Sequence, residues 1–197
     1  MLDIIGLSLN TKIMRKIIFL VPCLFALLLS GCFWGEDSFT ENLPAQKIEL
    51  SKYLGTWYEI ARIPNWFEKE LVGVTATYTL KDNGEIKVLN QGYKKTLTGE
   101  KKVAEGRAWV PDKNQPGRLK VSFFWLVSAD YIVLEIGPDY EYALVGSGKD
   151  FLWILSRTPQ MSDDVYQMLT AKAAALGYDI QRLEKVEQPF SLSSPKL

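Results

Sequence analysis

Few side chains in this 197-residue chain can carry covalent or acid–base chemistry, and what is missing decides much. Histidine does not occur. That excludes Ser–His–Asp and Cys–His catalysis, HExxH zinc sites and histidine-ligated haem. The two cysteines, Cys23 and Cys32, both lie near the start. No thiol nucleophile, zinc knuckle or internal disulfide is therefore available farther along. The 23 basic and 23 acidic side chains cancel, which argues against a broad nucleic-acid surface. What remains is a small set of polar groups set among apolar ones: Glu59, Asn90 and the hydroxyl of Tyr78. Glu59 with Tyr78 as proton donor is the acid–base pair on offer, and neither histidine nor thiol assists it. The expectation is a protein that binds rather than catalyses, with no metal and no cofactor.

Strands must position these groups. Eight segments rich in Val, Ile, Tyr, Phe, Trp and Thr are predicted as strands: 55–63, 73–80, 85–93, 102–110, 118–125, 131–136, 142–147 and 151–157. Asp82-Asn83-Gly84 is a hairpin signal, because Asn and Gly tolerate positive φ. Gln115-Pro116-Gly117 and Gly137-Pro138-Asp139 mark further turns. Even spacing without intervening helical pattern predicts an all-β antiparallel barrel or sandwich. One helix follows. Ser162 is its N-cap, Asp163 and Asp164 suit its first turn, and Gly177 stops it. Val165, Met168, Leu169, Ala173 and Leu176 give it one apolar face, which predicts packing on the outside of the sheet. A short strand is expected within 180–186.

Alternation sorts each strand into two faces. Trp57, Glu59, Ala61 and Ile63 share one face; so do Val74, Ala76, Tyr78 and Leu80. Ile86, Val88 and Asn90 group together, as do Leu119, Val121, Phe123 and Trp125, and Phe151, Trp153 and Leu155. Turned inward, these faces enclose a space that side chains fill or that one small ligand occupies. A carboxylate or amide on such a face needs a partner or an aqueous cavity.

These residues carry a resemblance. Gly55-Thr56-Trp57-Tyr58, with Arg157 at the end of the last strand, resembles the first and third signature regions of the lipocalins. The strings YLGTWYEIAR (53–62), VTATY (74–78), LKVSFF (119–124) and LWILSRTP (152–159) are similar to bacterial outer-membrane lipocalins and to apolipoprotein D. The second signature, usually Thr-Asp-Tyr, reads Pro138-Asp139-Tyr140, so its turn lacks a hydroxyl cap. The resemblance implies an eight-stranded antiparallel up-and-down barrel with one C-terminal helix. It implies that Arg157 lies across the indole of Trp57 and closes one end. It also implies a ligand cavity at Tyr78, Asn90, Phe123 and Trp153, which alternation joins with Glu59, Val88 and Leu155. The implied role is to bind and carry or store fatty acids or lysophospholipids for envelope maintenance. A structural or interaction lipoprotein with a filled barrel is the alternative, and a lipid-modifying enzyme a more distant one. No heptad or patch demands a second copy, and a homodimer stays open.

The first segment reads as an address. Met14-Arg15-Lys16 precedes a run at 17–29 that is apolar except for Pro22. That is shorter than the roughly 20 residues a membrane-spanning helix needs, and it has the form of a secretory signal. Leu29-Ser30-Gly31-Cys32 resembles a bacterial lipobox. This implies cleavage before Cys32, a diacylglycerol on its sulfur and a third acyl chain on its amine, which suffices for stable anchoring. Phe33 follows, where an Asp would favour the inner membrane; the outer membrane, facing the periplasm, is expected. The expected organisation is a signal at 1–31, with Met14 as an alternative start. A lipidated tether at 32–46, the barrel and helix at 47–189 and a tail at 190–197 follow.

Overall fold

Each strand-forming segment pairs with the next, and the last returns to the first. The computed structural model describes residues 37–124 and 127–190. The chain divides into two compact units, 1–38 and 39–197. Only Asp37 and Ser38 of the first are described, so the expected signal and Cys32 lie outside the described residues, as does Trp125. The strands are β1 (Gly55–Arg62), β2 (Leu71–Leu80), β3 (Ile86–Lys94), β4 (Lys101–Trp109), β5 (Arg118–Phe124), β6 (Val127–Ile136), β7 (Tyr142–Ser147) and β8 (Phe151–Ser156). All neighbours are antiparallel, and β1 pairs with both β2 and β8, which closes the eight-stranded up-and-down barrel. A short β9 (Glu184–Lys185) adds to β1, and the first described helix is α1 (Asp37–Asn42). Gly84, at φ +82°, makes the β2–β3 turn where the sequence placed it.

Two apolar clusters follow from the alternation. One draws Trp57, Tyr78, Val88, Ala108, Leu119, Val133, Val145 and Leu155 from all eight strands inside the barrel. The other lies outside, where Ile132, Leu134, Leu144, Leu152 and Ile154 meet the helix α3 (Asp163–Ala175) through Leu169 and Ala173. Ser162 caps α3 by accepting from Val165 N at 3.4 Å, and Gly177 follows its end at φ +90°. Met168, expected on the buried face, is 40% exposed.

Three expectations need correction. Ala61 and Ile63 lie in the outer cluster rather than inside, because a β-bulge between Glu59 and Ala61 reverses the alternation. Arg62 then turns inward opposite Trp153. Leu80, at the end of β2, is 50% exposed. Residues 39–46, expected within the tether, are docked. Thr40 and Leu43 are buried, and Gln46 N donates to Val133 O at 2.8 Å. The Arg118 guanidinium donates to the carbonyls of Thr40, Glu41 and Leu43. Apolar Phe39, Leu43 and Ala45 drive this docking, with Phe39 edge-on to Tyr178 at 5.3 Å.

One end of the barrel is sealed. The short helix α2 (Leu50–Tyr53) precedes β1, and Arg157 follows β8. The Arg157 guanidinium carbon sits 3.8 Å from the Trp57 ring centroid. Its nitrogens donate to the carbonyls of Thr56 (2.9 Å), Lys52 (2.7 Å), Tyr53 (3.2 Å) and Tyr140 (3.3 Å). Gly55, at φ +93°, lets β1 start beside this guanidinium. The Pro138-Asp139-Tyr140 turn is capped without a hydroxyl: the Glu141 carboxylate accepts from Asp139 N at 3.0 Å. Tyr58 faces the outer cluster. Arg157→Lys keeps the charge but loses the planar fork. It is expected to cost about 2 kcal/mol of unfolding free energy, read from urea midpoints; a loss within about 0.5 kcal/mol contradicts this role.

Candidate functional site

The interior is divided between a packed floor and an accessible upper part. At the floor, the hydroxyls of Tyr53 and Tyr131 are 2.6 Å apart and those of Tyr78 and Tyr131 are 2.9 Å apart. Burial pushes all three phenols above the usual tyrosine range. Tyr78, Val88 and Leu155, expected to line a cavity, are 7, 2 and 4% exposed and belong to this floor. Tyr131 and Tyr53 escaped the sequence reading; among the described residues, their hydroxyls meet those of other tyrosines brought from distant segments.

Toward the other end the packing loosens. Asn90, Phe123 and Trp153 are half-buried, as are Ala76 and Val121. Ala76, Asn90 and Ala104 stand side by side across β2, β3 and β4, and Ala104 is exposed. The reason lies in the ladder. Strand β4 pairs with β5 only from Arg107 to Trp109, so the two strands part toward the mouth. The Asn90 Oδ1 is buried and accepts no hydrogen bond among the described residues. Two surface clefts, of about 250 and 370 Å³, flank the 184–190 segment outside β1; neither includes Tyr78, Asn90, Phe123 or Trp153.

A polar collar sits beneath the β1–β2 loop. Glu59 does not stand alone: its carboxylate meets the Arg62 guanidinium at 2.6 Å, with both side chains buried. Arg62 also donates to the carbonyls of Glu68 and Leu71, each at 3.0 Å, which ties the loop to the barrel. The Glu68 carboxylate accepts from Trp153 Nε1 at 3.1 Å and from Asn65 Nδ2 at 2.5 Å. Gln188 Nε2 bridges the carbonyls of Glu59 and Val74 at 2.8 and 2.9 Å, where β1 and β2 no longer pair. Arg62 and Glu68 were missed by alternation because a bulge and a loop place them. The one available hint was an acid and a base three apart in an otherwise apolar strand.

Burial, reinforced by the Glu68 carboxylate, holds the Glu59 carboxyl well above the ordinary carboxylate range, against the pull of Arg62. The folded chain therefore binds this proton more tightly than the unfolded chain. Stability falls as pH rises from the ordinary carboxylate range through Glu59's raised value. Urea midpoints at about pH 5 and about pH 8 should show this fall, and Glu59→Gln should flatten it. An unchanged slope in the variant contradicts the assignment.

Residues 48–188 match the model of the lipocalin-like domain family. An outer membrane lipoprotein Blc of Vibrio cholerae is 39% identical over 175 residues, 88% of this chain and 99% of that protein. The Escherichia coli K12 protein of the same name is 44% identical over 144 residues, covering 73% and 81% of the two chains. Apolipoprotein D of Macaca fascicularis is 36% identical over 153 residues, 73% of this chain and 78% of that one. Among solved structures, insecticyanin from the tobacco hornworm superposes with a TM-score of 0.61 at 23% identity, over 76% of this chain and 85% of that one.

Proposed function

This chain belongs to the lipocalin family, and from that premise we infer that it is a membrane-anchored carrier of a fatty acid or lysophospholipid. One observation carries the reading: inward-facing side chains are sealed at the floor, yet partly accessible toward the mouth. Phe123, Val121, Ala76 and Trp153 offer an apolar wall to an acyl chain. Each buried methylene is worth about 0.8 kcal/mol, so ten would give about 8 kcal/mol before ordering costs. That supports micromolar affinity without special chemistry. The collar of Glu59, Arg62 and Glu68, with the open acceptor of Asn90, suits a polar headgroup. Apolar fit discriminates weakly between chain lengths, so selectivity falls to the collar.

Acylation at Cys32 and attachment to the outer membrane, facing the periplasm, belong to the same proposal. The lipobox-like Leu29-Ser30-Gly31-Cys32 supports them, as do two relatives that bear the name outer membrane lipoprotein. Native mass spectrometry of the gently extracted chain tests the carrier reading. A bound lipid, lost on unfolding, is the expected result. A chain of bare protein mass in every preparation would favour the filled scaffold.

A further inference from the structure

The mouth carries apolar side chains that no described part of the chain covers. Trp66, Phe67, Phe124 and Val127 are 76, 45, 68 and 68% exposed, and nearby Val103 is 58% exposed. Scattered single apolar residues are ordinary on a protein surface; several gathered around one opening are not. Trp66 meets Phe67 edge-on at 5.4 Å, Phe67 stacks on Phe151 at 5.9 Å, and Phe151 stacks on Trp153 at 6.1 Å. The aromatic run thus leads from solvent to the accessible part of the interior.

Unpaired lysines stand at the same end. The loops and strand ends at the mouth carry Lys69, Lys94, Lys95, Lys101, Lys102 and Lys149. Of the exposed carboxylates there, Glu70, Glu100 and Asp150 are engaged by Lys95, Lys102 and Arg182, while Glu184 and Glu187 line a cleft beside Glu70 and Lys95. Lys69, Lys101 and Lys149 have no carboxylate within ion-pair distance among the described residues.

We propose that the mouth docks onto the headgroup region of an anionic lipid bilayer. Trp66 and Phe67 enter the interface, and the free lysines meet lipid phosphates. Indole rings favour this depth, and interfacial binding grows with buried apolar area and with attraction to anionic lipid. Docking does not require a filled cavity. It adds to the carrier reading a path by which an acyl chain passes from leaflet to barrel without crossing water.

The test reconstitutes the full chain in vesicles of phosphatidylcholine and phosphatidylglycerol that contain a brominated phospholipid, and reads quenching of tryptophan fluorescence. Comparison with Trp66→Tyr isolates the Trp66 component, whatever the N-terminal segment contributes. Trp66 is largely exposed, so the variant should fold normally. The expected result is a quenched component that disappears in the variant. It should fall at least about twofold without phosphatidylglycerol, and again when Lys69, Lys101 and Lys149 are changed to Gln. Equal quenching in chain and variant overturns the proposal. So does a Trp66 component that is protected from bromine but rises with protein concentration, since a second copy would then cover the mouth. Docking by a chain that binds no lipid would leave this proposal standing and remove the carrier reading.

Discussion

Arg62→Met should lower the unfolding free energy by about 3–5 kcal/mol when Glu59 is ionised, the range expected when one partner of a buried ion pair is removed. The substitution keeps most of the side-chain volume but strips the Glu59 carboxylate of its contact at 2.6 Å. It also leaves the carbonyls of Glu68 and Leu71 without their guanidinium donor. Two features separate this effect from simple loss of packing. The cost should shrink at acid pH, because protonation neutralises the orphaned carboxyl. Adding Glu59→Gln to Arg62→Met should recover more than half of it, since a neutral amide tolerates burial better than an unpaired charge. Chemical denaturation of the two singles and the double, at two pH values, reads both. A pH-independent cost, or one within about 0.5 kcal/mol, would show that the pair does not hold the collar.

The second large effect is on binding. Ala104→Trp should abolish acyl-chain binding while changing stability by no more than about 1 kcal/mol. Ala104 stands beside Asn90 in the β3–β4 ladder and is exposed, so a large side chain there has room without overpacking the buried floor. An indole at this position occupies the space assigned to the ligand, where β4 and β5 part. Binding of a fluorescent fatty acid, followed beside a urea titration, gives both quantities. Undiminished affinity in the folded variant would place the ligand elsewhere.

Much of the frame is legible in the sequence because it rests on local rules. The eight strands fall where β-rich segments alternate between turn residues. Ser162 and Gly177 mark the ends of α3, and Gly55, Trp57 and Arg157 come together at the sealed end as the family resemblance implies. The misses share a different cause. Alternation assumes an unbroken period of two, and the bulge in β1 breaks it; hence Ala61 and Ile63 face the helix while Arg62 turns inward. The start of β6 at Val127 was not foreseen because its first residues are exposed and show no clear alternation. Glu68 and Tyr131 reach the interior from a loop and from the far side of the barrel. Their partners, Trp153 and the tyrosines Tyr53 and Tyr78, are remote in sequence. The docking of 39–46 depends on Arg118, which lies some 75 residues farther along. Long-range satisfaction of polar groups is what a single sequence conceals.

The most direct measurement is a titration of the chain with a fluorescent fatty acid, competed by unlabelled fatty acid. A barrel whose upper interior admits an aliphatic tail should give saturable, displaceable binding at micromolar concentration. Fluorescence no greater than that of the urea-unfolded chain at saturating probe would mean the interior is closed, and would contradict the account.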